Sequence, residues 1–267
     1  MTNDDPTTIS DLVRVSDAYF KVYAKATYFR DRIKVFKPNI PYNKLLPGLE
    51  PSKKVKRGPR SPGEMSPEDL ERSIRRSKKR VREYSEYNKF EILATFTFKT
   101  DRQNIPKNMA KMNTWLKNQR KRNGKFDYLF VAEFHKDGTS IHFHALIRGY
   151  KGKLIEATNS KTGKPVMKHG RQKYNFAGYR HGFAEAQLIK DTPESHGKVG
   201  NYVGKYITKD MTPALFGKHR YWRSSGVKPP KTEDNPSWLK NTETLIGTPC
   251  EYGVIYELPL SARAQGA

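Results

Sequence analysis

Residues 126–148 have the sequence FDYLFVAEFHKDGTSIHFHALIR. Alternating apolar residues flank Lys136-Asp137-Gly138-Thr139, a pattern typical of two strands joined by a tight turn. With Asp137 and Gly138 at the turn centre, the numbers of paired residues add up to 275. One face of the hairpin then carries only apolar pairs: Phe134/Ile141, Ala132/Phe143, Phe130/Ala145 and Tyr128/Ile147. This agreement supports the register, because a slip by one residue would turn every apolar side chain to the other face.

The other face of this hairpin carries residue types that bind metal ions. The register pairs Glu133 with His142 and Val131 with His144, and alternate residues of a strand share a face. Two imidazoles and a carboxylate therefore project together, which predicts a site for Mn²⁺ or Mg²⁺, or for Zn²⁺ in vitro. A His-x-His pair on a strand also arises by chance, but Glu133 opposite favours the metal site. His135 shares this face and is either a further ligand or, with more weight, a neighbour of the ligands.

The elements around the hairpin follow from hydrophobic periodicity and helix caps. Residues 91–99 alternate as a half-buried strand, and residues 183–189 form another strand. Asn104 caps a helix that ends at Asn123-Gly124, and a later helix is predicted from Ser195 to Met211. Ser66, followed by a proline and acidic residues, begins a basic helix that runs to about Tyr87. That basic helix either contacts DNA or is an ordinary solvated face.

A tandem Tyr-x-x-Lys repeat lies in the predicted helix 195–211: Tyr202 is followed by Lys205, and Tyr206 by Lys209. The buried stripe of this helix is already supplied by Val199, Val203 and Ile207. A lysine near a phenol lowers the pKa of the phenol or neutralises phosphate charge. A tyrosine pair on a helix is usually packing, but the nearby predicted metal site favours a catalytic role for Tyr202 and Tyr206, with Lys205 and Lys209 in support.

The two ends of the chain carry weaker signals. Residues 1–65 are interpreted as a basic, partly irregular region in which residues 12–35 could hold a helix. Residues 151–171 are rich in glycine and lysine and are predicted to be a loop. The predicted organisation is thus an N-terminal region 1–65, the basic helix 66–88, a central domain 89–226 and a C-terminal tail 227–267. Within the central domain, Arg220, Trp222 and Arg223 either contact bases and phosphates or form a structural motif.

The charge of the chain indicates its class of partner. Fifty-one Lys and Arg residues against 27 Asp and Glu residues leave a net charge of +24, which is typical of proteins that bind nucleic acid. An anionic membrane surface is the competing partner, but no apolar run reaches the length of a spanning helix. With one cysteine, Cys250, and no apolar signal core after Met1, the expected location is a cytoplasm. The sequence has no phosphate-loop motif, so no ATP-driven motor is expected.

Three ordered motifs resemble those of the HUH endonucleases, the rolling-circle replication initiators. They are Thr95-Phe96-Thr97-Phe98, His142-Phe143-His144 and Tyr202-Val203-Gly204-Lys205-Tyr206, the last in the two-tyrosine form of single-stranded DNA phage initiators. The resemblance covers about residues 90–226 and is greatest to replication-associated proteins of small phages and plasmids. It implies an α+β fold, with a central antiparallel sheet of four to five strands flanked by helices, like an RNA-recognition module. The basic helix would be an N-terminal extension of this fold.

The resemblance also implies a mechanism and partners. Tyr202 would attack a phosphate of single-stranded or origin DNA, with a divalent metal held by His142, His144 and Glu133, and Tyr206 would serve a second transfer. A 5′-phosphotyrosine and a free 3′-OH would result, and a host helicase, polymerase and single-strand-binding protein would continue replication. The alternatives are a relaxase or transposase with the same chemistry, and a non-catalytic basic nucleic-acid-binding protein. A tyrosine recombinase is disfavoured, because it leaves the His-x-His strand without a role.

Overall fold

The chain forms two units in a computed structural model that describes residues 19–46, 66–135, 137–168, 170–208, 220–239 and 245–265. One unit takes in Met1–Gly58 and Pro230–Ala267, and the other is Pro59–Pro229. The described helices are α1 (Pro67–Asn88), α2 (Ile105–Asn123), α3 (Pro193–Gly204) and α4 (Ala262–Gln265). The described strands are β1 (Tyr19–Val22), β2 (Lys25–Tyr28), β3 (Arg32–Pro38), β4 (Tyr42–Leu45), β5 (Ile92–Phe96), β6 (Asp127–Phe134), β7 (Ile141–Arg148), β8 (Leu154–Glu156), β9 (Met167–Lys168), β10 (Arg171–Gln172), β11 (Tyr174–Phe176), β12 (Ala184–Leu188), β13 (Trp222–Arg223), β14 (Lys231–Asp234), β15 (Thr248–Cys250) and β16 (Gly253–Pro259).

The unit 59–229 is built on an antiparallel sheet with the strand order β13-β6-β7-β5-β12-β11-β8. The predicted α+β class and antiparallel sheet are confirmed. Four longer strands, β6, β7, β5 and β12, make up its middle, and three short strands extend it beyond the four to five strands predicted. The β6–β7 hairpin has the predicted register, with Phe134 opposite Ile141 and Glu133 opposite His142. The strand that carries the two histidines is therefore an inner strand of the sheet.

Helices cover both faces of this sheet. Helix α2 packs on one face, where its Trp115 joins Phe96, Phe130 and Phe143 in the larger apolar core. Helices α1 and α3 pack on the other face, around a second core formed by Ile74, Val81, Tyr84, Phe90, Leu129, Val131, Leu146, Ile189, Val199, Val203, Ile207 and Val227. Because adjacent residues of a strand face opposite sides, β6 and β7 each contribute to both cores. The polar residues of the predicted metal site lie on the α1–α3 side, beside Val131.

The helix starts follow local capping chemistry. The Ser66 side chain accepts a hydrogen bond from the Asp69 backbone N–H at 3.1 Å, and the Asn104 side chain accepts one from Lys107 at 2.9 Å, both as predicted. The bounds predicted for α3 are wrong at both ends. Thr192, rather than Ser195, is its N-cap, because the Thr192 hydroxyl accepts from the Ser195 N–H and Pro193 occupies the first turn. The helix ends at Gly204, seven residues before Met211.

Tight turns replace the last predicted turn of α3. The N–H of Tyr206 bonds to the carbonyl of Val203 at 3.3 Å, and that of Ile207 bonds to Gly204 at 3.1 Å. These i→i+3 bonds tighten the chain after the helix and keep Ile207 in the core, with 2% of its surface exposed. Tyr202 therefore lies in the last turn of α3, whereas Tyr206 lies just beyond it.

Gly200 allows α3 to pack closely on α1. A Cβ atom at this position would lie 2.8 Å from Cβ of Ser85 and 3.1 Å from Cα of Arg82. We expect Gly200→Ala to lower the free energy of unfolding by about 1–3 kcal/mol, because the helices must separate to admit the methyl group. Urea unfolding followed by circular dichroism measures this.

Gly197 provides the matched control on the same helix. A Cβ atom there would meet only the Glu86 carboxylate, at an ordinary 3.5 Å. Gly197→Ala should therefore stabilise the chain by up to about 1 kcal/mol, through helix propensity alone. Equal effects of the two substitutions would contradict the close-packing interpretation.

The region 151–176, of which residues 151–171 were predicted to be a loop, contains short strands instead. Strand β8 pairs with β11 at the edge of the large sheet, and β9 pairs with β10 in a small hairpin of its own. Strands of two or three residues are too short to show an alternating pattern, which is why the sequence predicted a loop here.

The other unit contains an antiparallel sheet in the order β14-β2-β3-β16-β15, with β1 and β4 forming a separate pair. The helix predicted within residues 12–35 is wrong for the described residues from Tyr19 onward, which form strands. Ala26, Ile33 and Val35 are fully buried at alternate positions of these strands. Strands β14–β16 come from the stretch 227–267 that the sequence left as a tail, and β14 and β16 pair with β2 and β3, about 200 residues earlier. The four-part domain division stays a prediction.

Candidate metal centre and tyrosine pair

Glu133, His142 and His144 converge on one point above the sheet. Oε2 of Glu133 lies 2.6 Å from Nε2 of His142 and 2.6 Å from Nε2 of His144, and the two Nε2 atoms are 3.0 Å apart. The predicted hairpin register produces this convergence, because Glu133 pairs with His142 and His144 is two residues further along β7. Within the described residues, these three side chains form a group that could hold a metal ion.

The electrostatics of this group favour the protonation states that ligands need. Burial lowers the pKa of His142 to about 4, and the neighbouring His144 adds to this effect. Burial also lowers the pKa of His144. Burial opposes ionisation of Glu133, but hydrogen bonding and charge from His144, with a smaller effect of His142, outweigh it and lower the pKa of the carboxyl group. Neutral imidazoles and an ionised carboxylate are the donor set that a divalent cation requires, so the residues fit such an ion.

Thr95 orients one of the histidines from the neighbouring strand. It pairs with His144 in the β5–β7 register, and its Oγ1 lies 3.3 Å from Nδ1 of His144. A partner on the second ring nitrogen fixes which nitrogen of a histidine faces the metal position. The sequence analysis used Thr95 only as part of a motif, since its contact depends on how β5 and β7 align.

His135 lies beside the metal-binding group without joining it. Its ring centroid is 4.4 Å from that of His142, edge to face. The group found among the described residues consists of Glu133, His142 and His144 alone. His135 is thus a neighbour of the ligands, which is the role to which the sequence analysis gave more weight.

Both tyrosines of the tandem repeat contact the histidine strand. The ring of Tyr206 stacks on that of His144, with centroids 3.8 Å apart and planes inclined by 6°. The ring of Tyr202 meets His144 edge to face at 5.8 Å and Tyr206 at 5.3 Å. The close packing of α3 on α1 and on the sheet therefore brings two phenols to the metal-binding group from about 60 residues further along the chain.

A lysine lies over both phenol rings. Nζ of Lys205 is 4.4 Å from the ring centroid of Tyr202 and 4.7 Å from that of Tyr206. Burial raises the pKa of the Tyr206 phenol, and a hydrogen bond with Tyr202 and the charges of Tyr202 and Glu133 raise it further. Tyr206 therefore stays protonated at neutral pH. Lys209, the other predicted lysine, lies outside the described residues.

A basic cavity of about 340 Å³ opens beside Tyr202. Lys168 and Arg171, from the β9–β10 hairpin, and Lys198, from α3, line it together with Thr95. Lys198 is paired with Glu194 at 2.5 Å, whereas Lys168 and Arg171 have no ion-pair partner among the described residues. The sequence analysis missed this cavity, because its basic side chains come from separate elements that only the fold brings together.

An α+β unit of this kind, with an antiparallel sheet and a few helices, has an HUH- and RNA-recognition-module-like fold. The model of a family described as "Replication-associated protein", a family of rolling-circle replication initiators, matches residues 91–211. This match confirms the resemblance predicted from the sequence, and all three motifs lie inside it. The finding supports a replication-associated protein, and the family implies interaction with DNA. Comparisons with curated proteins and with solved structures give no significant match.

The helices were also compared with the requirements of a membrane span. None of those in the described ranges has both the length and the apolar character needed to cross a bilayer.

Proposed function

We propose that this chain is a rolling-circle replication initiator that nicks and rejoins one DNA strand through a 5′-phosphotyrosine intermediate. One observation carries the proposal: the phenol rings of Tyr202 and Tyr206 contact His144, which belongs to the metal-binding group. A purely structural tyrosine pair would not need to contact a cluster of two histidines and a carboxylate. The match of residues 91–211 to a family of replication initiators supports the same function.

The first step is an in-line attack on a DNA phosphodiester. The Tyr202 oxygen forms a bond to phosphorus and loses its proton to solvent, while the bond from phosphorus to the 3′ oxygen breaks. The 3′ oxygen takes up a proton and leaves as a free 3′-OH, and the 5′ side stays on the protein as a phosphotyrosine ester. One ester replaces another, so the strand can later be rejoined. The raised pKa of Tyr206 supports Tyr202 as the first nucleophile, with Tyr206 kept protonated for the second transfer.

Charged side chains around the phenols position the substrate. A divalent ion, Mn²⁺ or Mg²⁺, held by Glu133, His142 and His144 would polarise the scissile phosphate and offset charge on its oxygens. Lys205, within 5 Å of both rings, offsets negative charge as either phenol reacts. Lys168 and Arg171 line the cavity beside Tyr202 without ion-pair partners among the described residues, and they are suited to hold the DNA phosphates next to the scissile one. Lys209 is proposed to act with them, as the sequence pattern suggests.

The proposed partners follow from the products. A free 3′-OH is a primer, so a host polymerase extends it. A host helicase separates the strands, and a single-strand-binding protein covers the displaced strand. This places the proposed function in the cytoplasm of a host cell.

A denaturing gel tests the proposed function. Single-stranded oligonucleotides of randomised sequence, labelled at the 3′ end, are incubated with the chain and Mn²⁺. We expect a shifted, protease-sensitive band, because the 3′ fragment carries the 5′ phosphate that joins tyrosine. The same pool labelled at the 5′ end should give a shortened free fragment instead, and EDTA should suppress both products. DNA binding that is indifferent to EDTA and leaves no adduct would show a non-catalytic binding protein.

A further inference from the structure

A groove of about 720 Å³ lies at the β13 edge of the large sheet. Its volume falls in the range of about 300–1,000 Å³ that is usual for small-molecule sites. Helices α1 and α2 and strands β6, β7 and β13 contribute to its lining. Its most prominent side chains are aromatic or basic: Tyr84, Tyr128, Arg220, Tyr221, Trp222 and Arg223. We call it the β13 groove.

The β13 groove is distinct from the metal-binding group. Phe143, which lines the groove, lies between His142 and His144 in β7. Adjacent residues of a strand face opposite sides of the sheet, so the groove reaches the face that α2 covers, behind the histidines. Tyr84 and Tyr221 line its other side and belong to or pack against the core of α1 and α3. The groove therefore passes around the edge of the sheet, from one face toward the other.

Trp222 presents an aromatic surface in this groove. It pairs with Phe130 across β13 and β6, and its ring is perpendicular to that of Phe143 at 6.1 Å. Unlike Trp115 and Trp238, which are 4% and 8% exposed, Trp222 is only partly buried. Tyr221 meets Tyr84 edge to face at 6.0 Å on the other side of the edge strand. Aromatic rings held in place in a groove are the usual platforms on which single-stranded bases stack.

The charge of the groove is positive and uncompensated. No Asp or Glu is among the described residues that line it. Nη1 of Arg220 donates to Oγ of Ser73 at 2.9 Å, but its Nε is buried and has no hydrogen-bond partner in the described part of the chain. Burial, with the charge of Arg76, lowers the pKa of Arg220. A desolvated guanidinium beside a second cation and without a carboxylate is suited to bind an anion.

We propose that the β13 groove binds single-stranded DNA, with a base stacked on Trp222 and a phosphate held by Arg220. Charge complementarity selects this occupant: a polyanion with exposed bases matches both the uncompensated arginine and the aromatic rings, whereas a neutral or basic protein surface matches only the rings. This binding does not depend on strand cleavage. It is a second contact with the same strand, on the side of the sheet away from the histidines.

Tryptophan fluorescence tests the stacking. The full chain is titrated in EDTA with a short thymidylate oligonucleotide, so that binding is observed without cleavage. We expect the oligonucleotide to quench tryptophan emission, because Trp222 is the partly exposed tryptophan and a stacked base quenches its fluorescence. Trp222→Phe should remove the quenching while leaving affinity, measured by anisotropy of a labelled oligonucleotide, near that of the parent chain. Quenching that persists in Trp222→Phe, or that a blunt duplex produces equally, would overturn the proposal.

The affinity of arginine variants tests the phosphate contact. Arg220→Ala should weaken binding of the oligonucleotide by about tenfold, the usual effect of losing a hydrogen bond to a charged group. Arg122→Ala, which removes the same charge from an exposed position on α2, should change affinity little. Trp222→Ala should also weaken binding by about tenfold. Because it removes packing as well, Trp222→Phe and Arg220→Ala, checked by circular dichroism, decide the outcome. Equal affinities of Arg220→Ala and Arg122→Ala would refute the groove as a phosphate site, whether or not the chain nicks DNA.

Discussion

Tyr202→Phe is expected to abolish the covalent protein–DNA adduct on single-stranded oligonucleotides with Mn²⁺. The substitution removes one oxygen atom and keeps the ring that meets His144 at 5.8 Å and Tyr206 at 5.3 Å. Packing should therefore be preserved while the nucleophile is lost, and losses of a nucleophile reach about a millionfold where no other group replaces it. The amount of shifted, protease-sensitive band on a denaturing gel measures the effect.

Tyr206→Phe is the matched control, since it removes the same atom from the neighbouring ring. It should leave the first adduct largely intact and impair only the second transfer, which is measured as rejoining of the cut strand to a supplied 3′-OH. An adduct that survives in Tyr202→Phe but disappears in Tyr206→Phe would exchange the two roles. Full cleavage by the double variant would exclude both phenols as nucleophiles.

The second large effect is expected at the metal-binding group. His142→Ala and His144→Ala should each lower metal-dependent cleavage by more than about a hundredfold, because even the groups that merely orient metal ligands contribute 10–100-fold. Binding of an uncleaved oligonucleotide in EDTA should remain near that of the parent chain. Cleavage rates on the gel and Mn²⁺ affinity from titration calorimetry measure the two properties separately.

His135→Ala is the control for this site. Its ring lies 4.4 Å from that of His142, but the metal-binding group does not include it. Cleavage and Mn²⁺ affinity should therefore stay within a few-fold of the parent values. A loss in His135→Ala as large as that in His142→Ala would mean that the ligand set is wrong. Normal Mn²⁺ affinity in His142→Ala would exclude the proposed metal centre altogether.

The features that local chemistry determines could be predicted from the sequence. The Asp137-Gly138 turn and the alternating residues on either side defined the β6–β7 register, and that register placed Glu133 opposite His142. Capping residues located the starts of α1 and α2. Each of these signals spans about 20 residues or fewer, within the reach of turn and periodicity rules.

The features that depend on distant pairing could not be predicted. Strand β14 pairs with β2 and strand β16 with β3 across about 200 residues, and neither pair has a connecting turn whose residues could indicate it. Thr95 reaches His144 only through the β5–β7 alignment. The end of α3 at Gly204 was missed because apolar spacing continues to Ile207, although the backbone there has changed to i→i+3 bonds. Tertiary packing, rather than helical periodicity, buries Ile207.

The end of α3 between the two tyrosines gives their backbones unequal restraint. Tyr202 is anchored in a continuous helical ladder, so moving its backbone means unwinding the last turn of α3. Tyr206 is attached through two short turns, whose loss costs far fewer hydrogen bonds. If both phenols carry DNA in succession, the first is a fixed post and the second a swinging arm. The strand would then change hands at one immobile centre, without dismantling the helix that positions it.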